Sequence, residues 1–170
     1  MAQLIIIATG PDRTGIVSDI SKIITEKGGN IEESRMTQLA GDFAVIMLVT
    51  FDIPIDELEN QLSTLSTLQI TIKNATEKQS DDSKQARQIV LNGADNEGIV
   101  HSVTEFLSKN NINIESMDTE SVQAPISGTT LFRMQSIIQV PGDVEVHQLE
   151  NDLTELGDNL GVDLELNLVL

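Results

Sequence analysis

The sequence predicts an α+β chain of two tandem βαββαβ modules, each an antiparallel four-stranded sheet with both helices on one face. Three observations carry this. A motif recurs at a fixed offset, each copy shows the same succession of strand-length and helix-length apolar patterns, and a polar stretch separates the copies. Gly10-Pro11-Asp12-Arg13-Thr14-Gly15-Ile16-Val17 returns 83 residues later as Gly93-Ala94-Asp95-Asn96-Glu97-Gly98-Ile99-Val100. At the same shift Asn30-Ile31-Glu32 returns as Asn113-Ile114-Glu115. Two separate matches at one offset mean a duplicated structural unit. Farther on, Phe51–Pro54 resembles Ile138–Pro141 and Leu58–Leu62 resembles Leu149–Leu153, at offsets of 87 and 91. The second copy therefore carries insertions, one of them near Ala124–Gly128, where Pro, Ser and Gly mark a longer loop. Residues 76–86 have no apolar period and read as a linker between modules spanning 1–75 and 87–170.

The elements follow in order. Leu4 to Ala8 is an apolar run of strand length, and Ile16, Val17, Ile20, Ile23 and Ile24 share one helical face. Gly28-Gly29 stops that helix. Ile31 to Leu39 is extended and polar, Ala40-Gly41-Asp42 turns, and Phe43 to Phe51 is a long apolar strand. Pro54 opens a second helix with Leu58, Leu62 and Leu65 in register, and Leu68 to Ile72 closes the module. The second copy repeats the order. It runs through Ile89–Leu91, a helix from Ile99 to Leu107, strands Ile112–Val122 and Thr130–Val140, a helix from Val146 to Leu160, and Val162–Val169. This order is the ferredoxin-like split βαβ, whose right-handed crossovers place strands one and three at the centre. Phe43 to Phe51 is apolar on both faces, yet helices cover only one. The other face is expected to pack on the sister module or on another subunit, which makes a homo-oligomer a candidate state.

Composition narrows the function classes. The net charge is -17, with 11 acids and 6 bases in residues 1–80 against 16 and 4 in residues 81–170. Such a surface repels phosphate backbones and anionic membranes, which argues against direct nucleic-acid or membrane binding and suits solubility or a basic protein partner. With no cysteine, thiol catalysis, disulfides and Cys-ligated zinc are excluded. No apolar run reaches the length of a membrane span and the N-terminus shows no leader pattern, so a cytoplasmic location is the expectation. The two histidines, His101 and His147, read as surface residues rather than a metal pair, and Glu32-Glu33 and Asp81-Asp82 as solvated charges. No metal, cofactor or enzyme activity is expected.

The two glycine loops carry the chemistry. Gly10-x-x-x-x-Gly15 and Gly93-x-x-x-x-Gly98 look like phosphate loops, but Ile-Val stands where Lys and Ser/Thr would hold phosphate and metal. A loop at a helix start instead offers backbone N–H groups to a carboxylate. Gly15 and Gly98 let a small ligand approach, and Asp12 or Asp95 suits an ammonium group. Asn30 and Asn113 add an amide at the next strand. A structural reading stands beside this one: the aspartates cap a helix, the glycines relieve tight packing, and the asparagines occupy turns.

Asp12-Arg13-Thr14-Gly15-Ile16-Val17 with Gly29-Asn30-Ile31-Glu32-Glu33-Ser34-Arg35-Met36 resembles the ACT domain, and two copies without a catalytic domain resemble the glycine cleavage system repressor type of regulator. The second copy adds Asn111-Ile112-Asn113-Ile114-Glu115 and Gly128-Thr129-Thr130-Leu131-Phe132-Arg133-Met134 to the likeness. The resemblance implies a non-catalytic regulator that responds to a small amino acid, glycine being the candidate. It implies action through a protein partner, a transcriptional activator of glycine cleavage genes. The alternative is a regulatory subunit of an amino-acid biosynthetic enzyme. In related folds the ligand lies where the loop of one module meets strand two of another. The implied ligand-binding set is thus Asp12, Arg13, Gly15, Asn30 and Ile31 in the first copy and Asp95, Gly98, Asn113 and Ile114 in the second. Family loops often carry Pro before the second glycine; Thr14 and Glu97 stand there instead, and Glu97 opposes a ligand carboxylate. The first copy, with Arg13 nearby, is therefore expected to be the better site.

Overall fold

The computed structural model describes residues 2–52, 54–76, 83–123 and 130–169. The chain divides into two compact units, Met1–Lys78 and Gln79–Leu170. Ile53, residues 77–82 of the expected linker and the expected loop at 124–128 lie outside the described residues.

Unit 1 runs β1 (Ala2–Pro11), α1 (Ile16–Glu26), β2 (Asn30–Leu39), β3 (Asp42–Phe51), α2 (Ile55–Leu62) and β4 (Gln69–Asn74). Unit 2 runs β5 (Gln85–Ala94), α3 (Ile99–Lys109), β6 (Asn113–Gln123), β7 (Thr130–Val140), α4 (Val146–Leu160) and β8 (Val162–Leu168). The sheets are ordered β2-β3-β1-β4 and β6-β7-β5-β8, antiparallel throughout, with strands one and three of each unit central. This is the βαββαβ architecture the apolar pattern predicts, twice over.

Each core lies between sheet and helices. Leu4, Ile6 and Ala8 of β1 and Val45, Met47, Val49 and Phe51 of β3 are fully buried against Ile16, Ile20 and Ile24 of α1 and Leu58 and Leu62 of α2. Burial of one such aliphatic side chain contributes about 1.5–3 kcal/mol. Leu65 packs on this core from beyond the end of α2. In unit 2 Ile89, Leu91, Val103, Leu107, Ile138, Leu149 and Leu153 play the same parts.

The first helix of each unit ends in a Schellman turn. After α1, Gly28 adopts φ +75°, its N–H bonding Thr25 O and that of Gly29 bonding Ile24 O. After α3 the left-handed position is held by Asn111 at φ +55°, with Asn111 N–H on Ser108 O and Ile112 N–H on Leu107 O. Asparagine tolerates that region better than other non-glycine residues, because its short polar side chain bonds locally.

The ladders correct two details of the sequence alignment. Leu4 faces Val49, and Arg87, its counterpart 83 residues on, faces Ile138. Val49 and Ile138 are therefore equivalent at an offset of 89, whereas the sequence likeness pairs Phe51 with Ile138. Because β6 keeps the offset of 83 and β7 has 89, six residues are inserted between Gln123 and Thr130. The second detail is the start of unit 2: Gln85 and Ala86, expected in the linker, pair with Val140 and Gln139. Gln85 is exposed beyond the last buried residue of β5 and Ala86 is only partly buried, while their backbone still completes the ladder, so composition alone hides the strand.

The outward sheet faces differ. Outward residues of β3 include Ala44, Ile46 and Leu48, and Ile46 remains 44% exposed. The equivalent positions of β7 are Arg133, Gln135 and Ile137. Of these two strands, β3 alone presents an unbroken apolar run on its outward side. Among the described residues, no helix is long and apolar enough to cross a membrane.

Candidate functional site

Both glycine loops sit between a central strand and the start of a helix, and the two glycines in each have different physical duties. A Cβ on Gly10 would lie 2.5 Å from Thr67 O, and one on Gly93 would lie 2.6 Å from Val162 Cγ1. These first glycines permit a close approach of the chain that precedes or opens the last strand. Gly15 and Gly98 are different. They form the N-caps of α1 and α3 at φ +92° and +84°, in the left-handed region. A Cβ on Gly15 meets only Arg13 Nη1 at 3.8 Å, and one on Gly98 meets nothing within 4 Å. Tight packing is therefore not why these two are glycine; backbone conformation is.

No side chain caps either helix, so the structural reading of Asp12 and Asp95 as capping residues does not hold. The first-turn N–H groups of Ile16–Ser18 and Ile99–His101 stand at a helix N-terminus with an open approach beside the cap glycine. That end carries roughly half a positive charge and suits a carboxylate.

A backbone latch recurs at each loop. Asp12 N–H donates to Gly41 O at 2.9 Å, and Asp95 N–H donates to Thr130 O at 3.3 Å, the equivalent position. The loop is thus tied to the strand two–strand three end of its own sheet, a tertiary contact no local pattern announces. Around this latch the side chains differ. Arg13 Nη2 bonds Asp19 Oδ2 of α1 at 2.8 Å, and its Nη1 bonds Thr14 O. The guanidinium expected to favour a ligand carboxylate is engaged by Asp19. In unit 2 Ser121 Oγ donates to Asp95 Oδ2 at 2.8 Å, and Asn96 Nδ2 donates to Leu160 O at the end of α4. Ser121 and Asn96 are neighbours the sequence reading does not single out; the repeat places Asn96 beside Asp95, but only the fold brings Ser121 there.

The second part of the expected site lies elsewhere in each unit. β2 begins after α1 has run away from the loop, so Asn30 and Ile31 stand at the far end of an 11-residue helix from Gly15. At 1.5 Å per residue that is about 16 Å. Asn113 and Ile114 are removed from Gly98 in the same way by α3. Ile31 and Ile114 pack on the cores. The repeated Asn-Ile-Glu triplet marks a β-bulge, with the register shifting between Ile31 and Glu33 and between Ile114 and Ser116. Asn30 Nδ2 and Thr50 Oγ1 both donate to the Glu32 carboxylate, at 2.9 and 3.0 Å. These bonds hold the Glu32 carboxyl below its ordinary pKa, Asn30 contributing most. In the second bulge Gln139, equivalent to Thr50, donates to Glu115. Glu32 is therefore a bulge residue with assigned partners rather than a merely solvated charge.

Asp12, Arg13 and Gly15 are brought together on one loop, and Asp95 and Gly98 on the other; the asparagine–isoleucine pairs are not brought to them within a unit. His101 and His147 are exposed, His147 Nδ1 lying 3.8 Å from Glu150 Oε2. Among the described residues no three His, Asp or Glu side chains are grouped to hold a metal.

Residues 2–78 match the family model described as ACT domain. Over 170 residues the chain is 24% identical to the glycine cleavage system transcriptional repressor of Escherichia coli K12, an alignment covering 98% of this chain and 90% of that protein. It is 33% identical over 78 residues to a UPF0237 protein of Methanocaldococcus jannaschii, covering 46% of this chain and 79% of that one. A solved structure of an unknown protein from Galdieria sulphuraria superposes with a TM-score of 0.88 at 34% identity, covering 99% of each chain.

Proposed function

The chain belongs to the ACT-domain family, and from that premise we propose that it is a non-catalytic regulator that responds to a small amino acid and acts by contact with another protein. The observation that carries the reading is the end-to-end likeness to the Escherichia coli repressor, 24% identical over 98% of this chain and 90% of that protein. In its finer form, the protein acts in the cytoplasm on a transcriptional activator of glycine cleavage genes, with glycine as effector, and does not itself bind DNA. The net charge of -17 favours contact with a basic protein over contact with a phosphate backbone.

The ligand reading centres on the loop of unit 1. The amino acid's carboxylate takes the N–H groups at the start of α1, and its ammonium takes Asp12. In unit 2 Glu97 lies one residue before the cap glycine, and Asp95 already accepts from Ser121. Both features weaken that loop as a site. Asn30 and Ile31, or Asn113 and Ile114, enter the ligand reading only through a neighbouring module, since their own loop is a helix length away.

Calorimetry and thermal unfolding of the full chain against the twenty amino acids test the ligand. A ligand at 100 times its dissociation constant adds about 2.7 kcal/mol of stability. Stabilisation by glycine or another small amino acid is the expected result, and no shift with any of the twenty overturns the sensing role. Titration against the purified activator of glycine cleavage genes tests the partner, and absence of binding with and without glycine removes it.

A further inference from the structure

The two glycine loops differ most in what stands beside the cap glycine. On the open side of Gly15, where a Cβ would lie, the nearest group beyond the adjoining residues is the Arg13 guanidinium, its Nη1 at 3.8 Å. Arg13 is held there at two points. Its Nη2 donates to Asp19 Oδ2 at 2.8 Å, and its Nη1 donates to Thr14 O at 3.2 Å. Asp19 lies in the first turn of α1, and its own N–H bonds Gly15 O at 2.8 Å. The helix start therefore fixes Asp19, and through Asp19 it fixes Arg13 against the cap.

Unit 2 has the same backbone loop without this arrangement. The repeat puts Asn96 at the place of Arg13 and Ser102 at that of Asp19, and neither is ionic. Asn96 turns away to Leu160 O, and beside Gly98 nothing lies within 4 Å. A guanidinium has five N–H donors, so the two bonds made by Arg13 leave three for a ligand. An unrestrained arginine gives up rotamer freedom when it grips a carboxylate, whereas Asp19 and Thr14 O have already ordered this one. Asp19 also carries an opposing charge, but no atom of its side chain lies within 4 Å of the open side of Gly15. Both partners are about two-fifths exposed, at 41% and 43%, so solvent screens that more distant charge.

We propose that Asp19 is a positioning residue of the unit 1 loop: it holds the Arg13 guanidinium beside Gly15, where a remaining N–H of Arg13 joins the first-turn N–H groups of α1 in binding the ligand's carboxylate. The proposal rests on the ligand reading of this loop given above and adds what selects the ligand. Backbone N–H groups accept a carboxylate or an amide carbonyl alike, but a bond from a guanidinium is much stronger to the ionised group. The unit 1 loop is thus specific for amino acids with a free carboxylate, and the held arginine is what separates it from the loop of unit 2.

Calorimetric titration of the full chain with glycine and L-alanine, each beside its carboxamide, provides the test, and circular dichroism verifies that each variant is folded. The wild-type chain should bind the carboxamides at least about tenfold less tightly than the amino acids. Asp19→Ala should weaken amino-acid binding about three- to tenfold, the effect of releasing one ordered side chain. Asp19→Asn keeps an oxygen acceptor for Arg13 and should recover most of that loss. In an Arg13→Gln background Asp19→Ala should have no further effect, because Asp19 acts only through Arg13. Unchanged or tighter binding by Asp19→Ala overturns the proposal, the second result meaning that Asp19 competes with the ligand. An equal loss with and without Arg13 overturns it too, since Asp19 would then act through the helix alone, as does equal affinity for an amino acid and its carboxamide. A wild-type chain that binds neither glycine nor L-alanine is a separate outcome: it removes the ligand reading of the loop itself, and the role of Asp19 with it.

Discussion

Replacing the two glycines of the second loop one at a time separates steric from conformational constraint. At Gly93 the added Cβ of alanine meets Val162 at Cγ1, Cβ and Cα, at 2.6, 2.8 and 2.9 Å. The last of these atoms belongs to the backbone, so no rotamer change of Val162 relieves the clash. Overpacking of this kind costs about 1–3 kcal/mol. At Gly98 there is open space, but φ is +84°. An L-residue there costs about 1–2 kcal/mol, and asparagine less than alanine. Gly98→Asn should therefore recover much of the stability that Gly98→Ala loses, whereas Gly93→Asn should be no better than Gly93→Ala. The chain has no Trp and no Tyr, so thermal unfolding followed by far-UV circular dichroism is the suitable assay. For a unit of this size 1 kcal/mol corresponds to about 4–8 °C in Tm. Equal losses for Gly98→Ala and Gly98→Asn, or no loss for Gly93→Ala, would refute the division of labour between the two glycines. The same logic protects the ligand experiment. Gly15→Asn keeps α1 capped at its left-handed position, so a loss of amino-acid binding in a folded Gly15→Asn variant reports on approach to the helix terminus and not on unfolding.

Three further outcomes follow from single contacts. Asn111→Gly should stabilise unit 2 by about 0.5–1 kcal/mol, since relief of the left-handed strain exceeds the added entropy of the unfolded chain; a lowered Tm would contradict the Schellman geometry after α3. The folded-state pKa of Glu32 is depressed by Asn30 and then Thr50, so its stabilising contribution is present above the ordinary value of 4.5 and is lost as pH falls through the lower folded value. Carboxyl-detected NMR titration should show the Glu32 pKa rising in Asn30→Ala, and an unmoved titration would rule out Asn30 as the principal cause. The purified protein should not retard duplex DNA in a gel-shift assay at physiological salt, and tight, sequence-dependent retardation would contradict the charge argument.

Much of this molecule was legible from residue order because its signals are local or periodic. Apolar residues at helical and alternating spacing are the direct imprint of a two-layer core, so the stripe of Ile16, Ile20 and Ile24 and the buried set from Val45 to Phe51 could be read before any contact was known. The repeat of the glycine loop and of Asn-Ile-Glu announced a duplicated unit, because identical backbone requirements select the same residues twice. What those residues do was not legible. Whether a glycine is needed for φ, as at Gly98, or for space, as at Gly93, depends on neighbours up to about seventy positions away in the chain. Strand limits were blurred where backbone pairing continues past the last buried apolar residue, as at Gln85 and Ala86. The engagement of Arg13 by Asp19, the latch from Asp12 to Gly41 and the bond from Ser121 to Asp95 join residues whose sequence separations carry no pattern. The helix-length gap between Asn30 and Gly15 likewise follows from the direction in which α1 runs, which is set by the antiparallel sheet it packs against. The sequence by itself determined the class of fold, its duplication and the chemistry available at each loop. Only the tertiary structure decided which groups meet there, because hydrogen bonds and steric contacts depend on distances through space rather than along the chain.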